Sequence, residues 1–590
     1  MKNLTNFINL FPKRQKYLIF LVFFSTFVIS GIETISLGSL AGYVMILSDT
    51  QSFINKIPID SVKNYVAVLT DDQFVVYSSI LLIFIFIIKN LIMLLFNYVN
   101  IRVEKNILIN LSNRLLDSYL SRTYLFHISN NPNNLINSIL AETARGLAFI
   151  FTIINLTREC LVLIILFIAI IFVNYGLAVL VILSMGIASS IFFFTVKNLL
   201  KKLGLDHKIV SEIRLKNLSE IFGIVKLIKL FNAKEYFVNQ FNKINVKKLN
   251  IDNKIRFITL IPRAFLEVAA IFTISFTSFY FIFYSYDIKT AIPTLSLLAI
   301  LLVRAIPAFG TINISASVLQ YHKQSMMFIV KEFMNHETLK KNYEINDNFI
   351  RNEKIETIYL KNISFKFQNS DKIILNGVDL KLKKNQIIGI IGESGSGKST
   401  LIDIILGLLS PFDGEVIING SSKFRLFEKN NQNIGYVPQD VYLTDDTIKN
   451  NVALGLNEKL INEKKILKIF EILKLDNILS QSNEGIETKV GNRGIKLSGG
   501  QRQRIGIARA LYKDLEILIL DEATNALDID TEKYIIEQIN NLRADKIIIM
   551  INHRANMLPA CDKIYVMKNG SIIESGKLKE LSSKNLIDLK

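Results

Sequence analysis

Residues Gly392-Glu393-Ser394-Gly395-Ser396-Gly397-Lys398-Ser399-Thr400 follow an apolar run, QIIGII, and precede a helix-patterned one, TLIDIILGLL. They fit G-x-x-x-x-G-K-[ST] in the strand–loop–helix context that the pattern requires. The glycines let backbone N–H groups turn inward around phosphate oxygens, and the helix N-terminus adds its partial positive charge. Lys398 is expected to reach the outer phosphates and the Ser399 hydroxyl to ligate Mg²⁺. Downstream, Ile517-Leu518-Ile519-Leu520 reads as a strand buried on both faces, ending in Asp521 and Glu522. Ligands gather at the carboxyl ends of parallel strands. Asp521 is therefore expected to hold Mg²⁺ through water, and Glu522 to act as general base on an attacking water. A third element, Leu497-Ser498-Gly499-Gly500-Gln501, opens the helical run RQRIGIARALYK. Two glycines and a serine at a helix start make a second anion-binding site. One domain needs a single phosphate loop, so a second one makes sense if it closes over a nucleotide held by another copy.

These motifs lie in a mixed α/β region, where β-rich runs such as IETIYL, ILILD and KIIIMIN alternate with helical segments. The region before them is different. Residues 1–330 hold six long apolar runs, near 17–47, 74–99, 146–173, 177–199, 258–285 and 291–316, each long enough for the ~20 residues of a membrane helix. Half of the 590 residues are hydrophobic and the mean hydropathy is +0.34, which excludes a disordered or collagen-like chain. The two cysteines, Cys160 and Cys561, supply neither a disulfide framework nor a zinc cluster. The fold expected is an all-α polytopic membrane domain with an α/β ATPase domain behind it: residues 1–330, a linker at 331–354, and the second domain at 355–590.

The net charge of +18 raises nucleic acid as a partner, but the distribution of charge argues against it. Residues 197–256 carry fourteen Lys/Arg against five Asp/Glu, and Lys2, Lys13, Arg14 and Lys16 precede the first run. The loop 48–73 instead carries Asp49, Asp60, Asp71 and Asp72 with only Lys56 and Lys63. Positive-inside then places the N-terminus, both long loops and, after six crossings, the second domain in the cytoplasm. The surplus reflects membrane topology, and no nucleic-acid partner is expected. The long loops are helix-patterned, so the membrane helices are expected to extend past the bilayer and meet at short turns near 129–140 and 219–229.

Taken together, the three motifs resemble those of the ATP-binding-cassette (ABC) transporters, in particular exporter half-transporters with six membrane helices and one cassette. The resemblance covers nearly the whole chain, and LSGGQ is its most specific part. It implies ATP and Mg²⁺ as cofactors, ATP hydrolysis coupled to transport, and a homodimer in a bacterial inner membrane. It also implies roles by match. Gln439 in VPQD would contact Mg²⁺, His553 in INHR the γ-phosphate, Asp528 in NALD the dimer interface, and Phe367 in SFKF the adenine. Residues 129–140 and 219–229 would be the coupling helices. Three positions depart from the family pattern. Phe367 stands where Tyr is usual, Asn525 where Ser is usual, and Asn492 where an acid is common.

Cargo must be read from the membrane half. Glu33, Lys89, Arg158, Glu159, Arg263, Glu267 and Arg304 lie in or near apolar runs, where ionisable groups are costly and usually functional or paired. Arg263 and Glu267 are four apart and can pair on one helix face. Lys89 and Arg304 have no close sequence partner; they are expected either to line a cavity that attracts an anionic head group or to sit at a deep helix end. The runs GIETISLGSLAGYVMILSD, SFINKIPIDSVKNYV and LVRAIPAFGTINISASVLQYH, with Lys89 in IIKNL, resemble bacterial lipid-linked oligosaccharide flippases. That resemblance implies a polyprenyl-diphosphate glycan as cargo and an external helix between the first two spans. Lipid, peptide and drug exporters share the frame and remain alternatives, as do a cassette-gated channel or regulator and a soluble-type cassette ATPase on a membrane anchor.

Overall fold

The structure, a computed structural model, describes residues 2–48, 50–55, 69–173, 175–283, 288–344, 354–367, 370–422, 434–480, 484–552 and 555–584. Contacts divide the chain into two compact units. One is residues 1–345 without Thr123–Leu125, and the other is residues 346–590 with those three.

Six long helices build the first unit: α1 Lys13–Ser48, α2 Asp71–Leu120, α3 Thr143–Val173, α4 Tyr175–Gly223, α5 Lys234–Phe283 and α6 Ile288–Glu344. All six are long and apolar enough to cross a membrane. Lipid supplies no hydrogen-bond partners, so a spanning segment must satisfy its backbone internally, and a helix does so. At 1.5 Å per residue the 50-residue α2 and α5 are about 75 Å long, far beyond the ~30 Å hydrocarbon layer. Large side chains such as Phe276, Phe279 and Ile282 remain exposed on the apolar stretch of α5, as a lipid-facing surface requires. Inside the unit, Ile107, Leu111 and Leu115 of α2 pack with Leu147 and Ile154 of α3 and Ile329 of α6.

Between the long helices lie short ones. Pro132–Asn137 leads into a π-helical turn at Ser138–Glu142, and Val225–Leu230 follows the end of α4 at Gly223. These fall at or beside the two turns expected from the loop pattern. The expected linker is shorter than its composition suggested, because α6 continues through its first part to Glu344. Of the expected external helix, Thr50–Asn55 is helical and 56–68 lie outside the described residues.

The second unit contains two sheets. The strands are β1 Thr357–Lys366, β2 Ile373–Lys383, β3 Gln386–Gly392, β4 Asp413–Ile418, β5 Ser421–Ser422, β6 Ile434–Val437, β7 Ile517–Asp521, β8 Ile547–Ile551, β9 Lys563–Lys568 and β10 Ser571–Gly576. The smaller sheet is antiparallel in the order β2-β1-β4-β5, and the larger runs β10-β9-β3-β8-β7-β6. In the larger sheet β9, β3, β8, β7 and β6 are parallel, so the ends of β3 and β7 emerge along one edge.

Alternate side chains of a strand point to opposite faces. Leu518 and Leu520 of β7 accordingly join one core, while Ile517 and Ile519 join another. The first core includes Ile505, Ile507 and Ala508 from a helix at Gly499–Tyr512, and the second includes Leu401, Ile402 and Ile405 from a helix at Lys398–Ile405. Those two helices, α7 (Lys398–Ile405) and α8 (Gly499–Tyr512), therefore lie on opposite faces of the parallel sheet. A further helix, α9 Ile529–Asn541, packs on the α8 side through Ile535 and Ile539.

Candidate functional site

The loop after β3 turns sharply into α7. Gly397, the residue before the helix, has φ +100°. A Cβ there would press on Leu375 Cδ2 at 2.7 Å, and the left-handed backbone favours glycine. At Gly392 a Cβ would lie 2.3 Å from the Met567 carbonyl oxygen, so the loop can start only with a bare backbone. Lys398 folds back over this loop, its Nζ donating to the carbonyls of Gly392 at 2.8 Å and Glu393 at 3.0 Å. Burial lowers the Lys398 ammonium's pKa, and Glu522 and Asp521 oppose that shift. The lysine is thus poised between the loop and the two acids at the end of β7. Ser394, Gly395 and Ser399 are exposed, Thr400 is half-buried, and Ser396 is buried, its hydroxyl without a partner among the described residues. Glu393 is exposed at the loop's crest.

Across the sheet edge, Asp521 ends β7 and Glu522 takes φ +51°. The Glu522 N–H donates to the Ile551 carbonyl at 3.0 Å, tying the turn to β8. Gln439 Nε2 donates to Glu522 Oε2 at 2.9 Å, and Asn525 Nδ2 donates to the same oxygen at 2.7 Å. The Tyr436 hydroxyl donates to Asp521 Oδ2 at 3.4 Å. Two residues that sequence reading passed over belong to this neighbourhood. Burial, reinforced by Asp521, pushes the Asp403 carboxyl up to about 6, and the Tyr436 phenol is also raised, burial first and Asp521 next. Neither carries a motif signal. Asp403 was legible only as a polar break in the apolar face of α7.

A nucleotide with Mg²⁺ fits this donor set. The Ser399 hydroxyl, the Asp521 carboxylate and the Gln439 side-chain oxygen are the hard oxygen ligands that Mg²⁺ takes. Gln439 spends its N–H on Glu522, which leaves its oxygen for such a role. Phe367, just after β1, packs edge-to-face on Phe365 with ring centroids 5.1 Å apart and stays half-buried. His553 lies outside the described residues.

Ser498 and Gln501 form a capping box at the start of α8. The Gln501 N–H donates to Ser498 Oγ at 3.2 Å, and the Ser498 N–H donates to Gln501 Oε1 at 2.8 Å. Gly499 and Gly500 sit directly against the chain at Ala526 and Leu527. A Cβ on Gly500 would lie 3.1 Å from the Ala526 carbonyl oxygen. Gln503 locks this contact by accepting the Ala526 N–H at 2.9 Å. Asp528 caps α9, accepting the Thr531 N–H at 2.9 Å, and this bond holds its carboxyl below the usual range.

The membrane-half candidates separate. Lys89 on α2 is half-buried, its Nζ 5.3 Å from the Phe86 ring centroid. Arg304 on α6 corrects the expectation of an unpaired cation. Its Nε lies 2.8 Å from Glu33 Oε1 of α1, and its Nη2 donates to Glu159 Oε2 of α3 at 3.0 Å. Arg158 completes the cluster, 2.8 Å from Glu159 Oε1. Buried acids on two other helices neutralise the arginine, because an unpaired charge in lipid costs too much. Arg263 and Glu267 pair within α5 at 2.9 Å.

Residues 375–525 match the family model described as ABC transporter. An ATP-dependent lipid A-core flippase of Cupriavidus pinatubonensis is 26% identical over 491 residues, 82% of this chain and 81% of that protein. The heterocyst differentiation ATP-binding protein HepA of a Nostoc species is 28% identical over 591 residues, 96% of this chain and 92% of that one. Among solved structures, a bacterial Atm1-family ABC exporter with ATP bound superposes with a TM-score of 0.76 at 19% identity, covering 97% of this chain and 96% of that one. The likeness spans the six helices as well as the cassette. This chain is a six-helix membrane domain fused to one ABC transporter cassette, and it has the fold of an ABC exporter.

Proposed function

We propose that two copies of this chain form an ATP-driven flippase that carries a lipid-anchored, anionic glycan, of the polyprenyl-diphosphate kind or similar, across a bacterial inner membrane. The cassette hydrolyses ATP in step with transport. The observation that carries the pairing is that α7 and α8 pack on opposite faces of the parallel sheet. The two loops open helices on different faces of the sheet, which supports a reading in which the Ser498–Gln501 loop closes over a nucleotide held by a second copy.

Within each site, Gly392 to Thr400 would cradle the phosphates and Lys398 would exchange its loop carbonyls for phosphate oxygens. Ser399, Asp521 and Gln439 would hold Mg²⁺, which supplies charge neutralisation at the phosphates when bound. Glu522 would accept the proton of the attacking water, His553 would contact the γ-phosphate, and Phe367 would stack on the adenine. Ser498, Gly499, Gly500 and Gln501 would close the site from the partner, with Asp528 at the interface. The N-terminus and cassette would be cytoplasmic, as the charge distribution favours.

The cargo class draws its support from the relative named as a lipid A-core flippase, which matches four fifths of the chain. Lys89 is the membrane-half cation proposed to meet the head group, a role for which Arg304 is already neutralised by Glu33 and Glu159. A proteoliposome flipping assay tests the reading. Purified protein should translocate a fluorescent polyprenyl-diphosphate glycan with ATP, and Lys89→Gln should translocate it more slowly. ATP-dependent movement of cationic drugs with none of the glycan would replace the lipid reading with the drug-exporter one.

A further inference from the structure

Glu522 Oε2 is held from two directions, and one holder is a residue at which this chain departs from its family's pattern. Gln439 and Asn525 each donate an amide N–H to Oε2, at 2.9 and 2.7 Å. Two donors on one carboxylate oxygen restrict rotation of the group and commit Oε2 to the protein. The two holders differ in how they are anchored. Gln439 stands on the segment that follows β6, two residues past Val437. Asn525 stands in a turn pinned on both sides. Its own N–H donates to the Glu522 carbonyl at 3.2 Å, closing the turn around the positive φ of Glu522. On one side Thr524 Oγ1 donates to Glu532 Oε1 of α9 at 2.7 Å, both residues fully buried. On the other side the Ala526 N–H donates to Gln503 of α8 at 2.9 Å.

We propose that Asn525 is a positioning residue for ATP hydrolysis. It holds the Glu522 carboxylate at a fixed orientation from a rigid turn, while Gln439 is the second and exchangeable holder. Serine, the residue usual at this position in the family, is too short to make the same bond without the turn moving toward Glu522. The inference rests on the reading of Glu522 as general base.

The test uses the full-length chain and measures kcat and KM for ATP. Asn525→Ala loses one hydrogen bond to a charged group, which corresponds to about a tenfold fall in kcat, with KM little changed. Asn525→Asp keeps the size but replaces the donor with a carboxylate facing a carboxylate, and kcat should fall about a hundredfold. Asn525→Ser, which keeps a donor on a shorter arm, should lie between wild type and Asn525→Ala. A purely structural role would make the isosteric Asp the mildest change. The controls are Glu522→Gln alone and Glu522→Gln with Asn525→Asp, followed by single-turnover hydrolysis. Without the base's charge, the Asp substitution should cost nothing further. Equal kcat for Asn525→Asp and Asn525→Ala, or a cost of Asn525→Asp that persists in the Glu522→Gln background, overturns the positioning role and leaves the base reading intact. Wild-type turnover by Glu522→Gln overturns both. If Asn525→Asp is not recovered folded, a fall in kcat/KM of Asn525→Ala without a fall in kcat overturns the proposal.

Discussion

Arginine in an apolar helix is a demand for partners, and at Arg304 the demand is met from far away in sequence. Glu33 and Glu159 reach it from α1 and α3, and Arg158 balances the second acid. Arg263 and Glu267 could be paired on paper because four residues place them on one helix face. Arg304 could not, because its partners become neighbours only when three helices assemble. Removing one member of a buried pair leaves its partners uncompensated, at a cost of about 3–5 kcal/mol. Arg304→Gln should therefore lower the thermal midpoint of the purified protein and its recovery from membranes. Arg304→Gln with Glu33→Gln should recover part of that loss. Equal stability of the single variant and wild type would contradict a stabilising role for this cluster. Asp403 gives the cassette a residue-scale pH dependence. Its carboxyl is raised from 3.8 to about 6 by burial and then by Asp521, so the folded state holds the proton more tightly than the unfolded one. The stabilisation from that proton is complete below 3.8 and is lost as pH rises through about 6. Asp403→Asn should melt higher than wild type at pH well above 6 and lose that advantage at acid pH, as a thermal-shift series across pH will show.

At the scale of elements, the helices and strands that hold the site were legible because their patterns are long and regular. Six apolar runs became six helices, and QIIGII and ILILD became neighbours of β8 in a parallel sheet. Runs apolar on both faces signal such strands, since both faces are covered. Element ends were less legible. Asn, Lys and Glu after residue 335 look like a linker, yet Lys and Glu also favour helix, and α6 continues to Glu344. The clustering of Glu522, Gln439 and Asn525 was legible only in part, because a motif assigns roles to residues without saying which hydrogen bond each makes. The turn into α7 carries its own prediction. Gly397→Ala would place a methyl group 2.7 Å from Leu375 Cδ2 at φ +100°, a conformation that costs about 1–3 kcal/mol for a residue with a side chain. The loop must move to relieve this, so ATP affinity should fall at least tenfold while the helices of the membrane domain still form. Nucleotide binding by Gly397→Ala at wild-type strength would mean that the loop does not need this turn.

For the whole molecule, the proposed closure of each site by a second copy makes a specific claim about counting sites. If each phosphate loop is closed by the Ser498–Gln501 loop of the other copy, a dimer has two sites and each draws on both chains. Ser498→Arg should then abolish hydrolysis in a homodimer, because the added side chain fills the space beside the partner's bound phosphates. Lys398→Ala should do so by removing the point charge on the outer phosphates. Co-expression with two different affinity tags allows the mixed dimer to be purified away from both parents. In that dimer one site combines the Lys398→Ala loop with the Ser498→Arg loop and carries both lesions. The other site combines two unaltered loops. Hydrolysis should return to as much as half of the wild-type rate if the sites turn over independently. The reverse arrangement, with each chain closing its own site, puts one lesion in each and predicts no activity at all. A silent mixed dimer that still binds ATP with wild-type stoichiometry at its Ser498→Arg chain would thus count against closure in trans, or against two sites that fire separately. Single-turnover hydrolysis on the same preparation distinguishes these, since an intact composite site completes one cycle even when continuous turnover requires both.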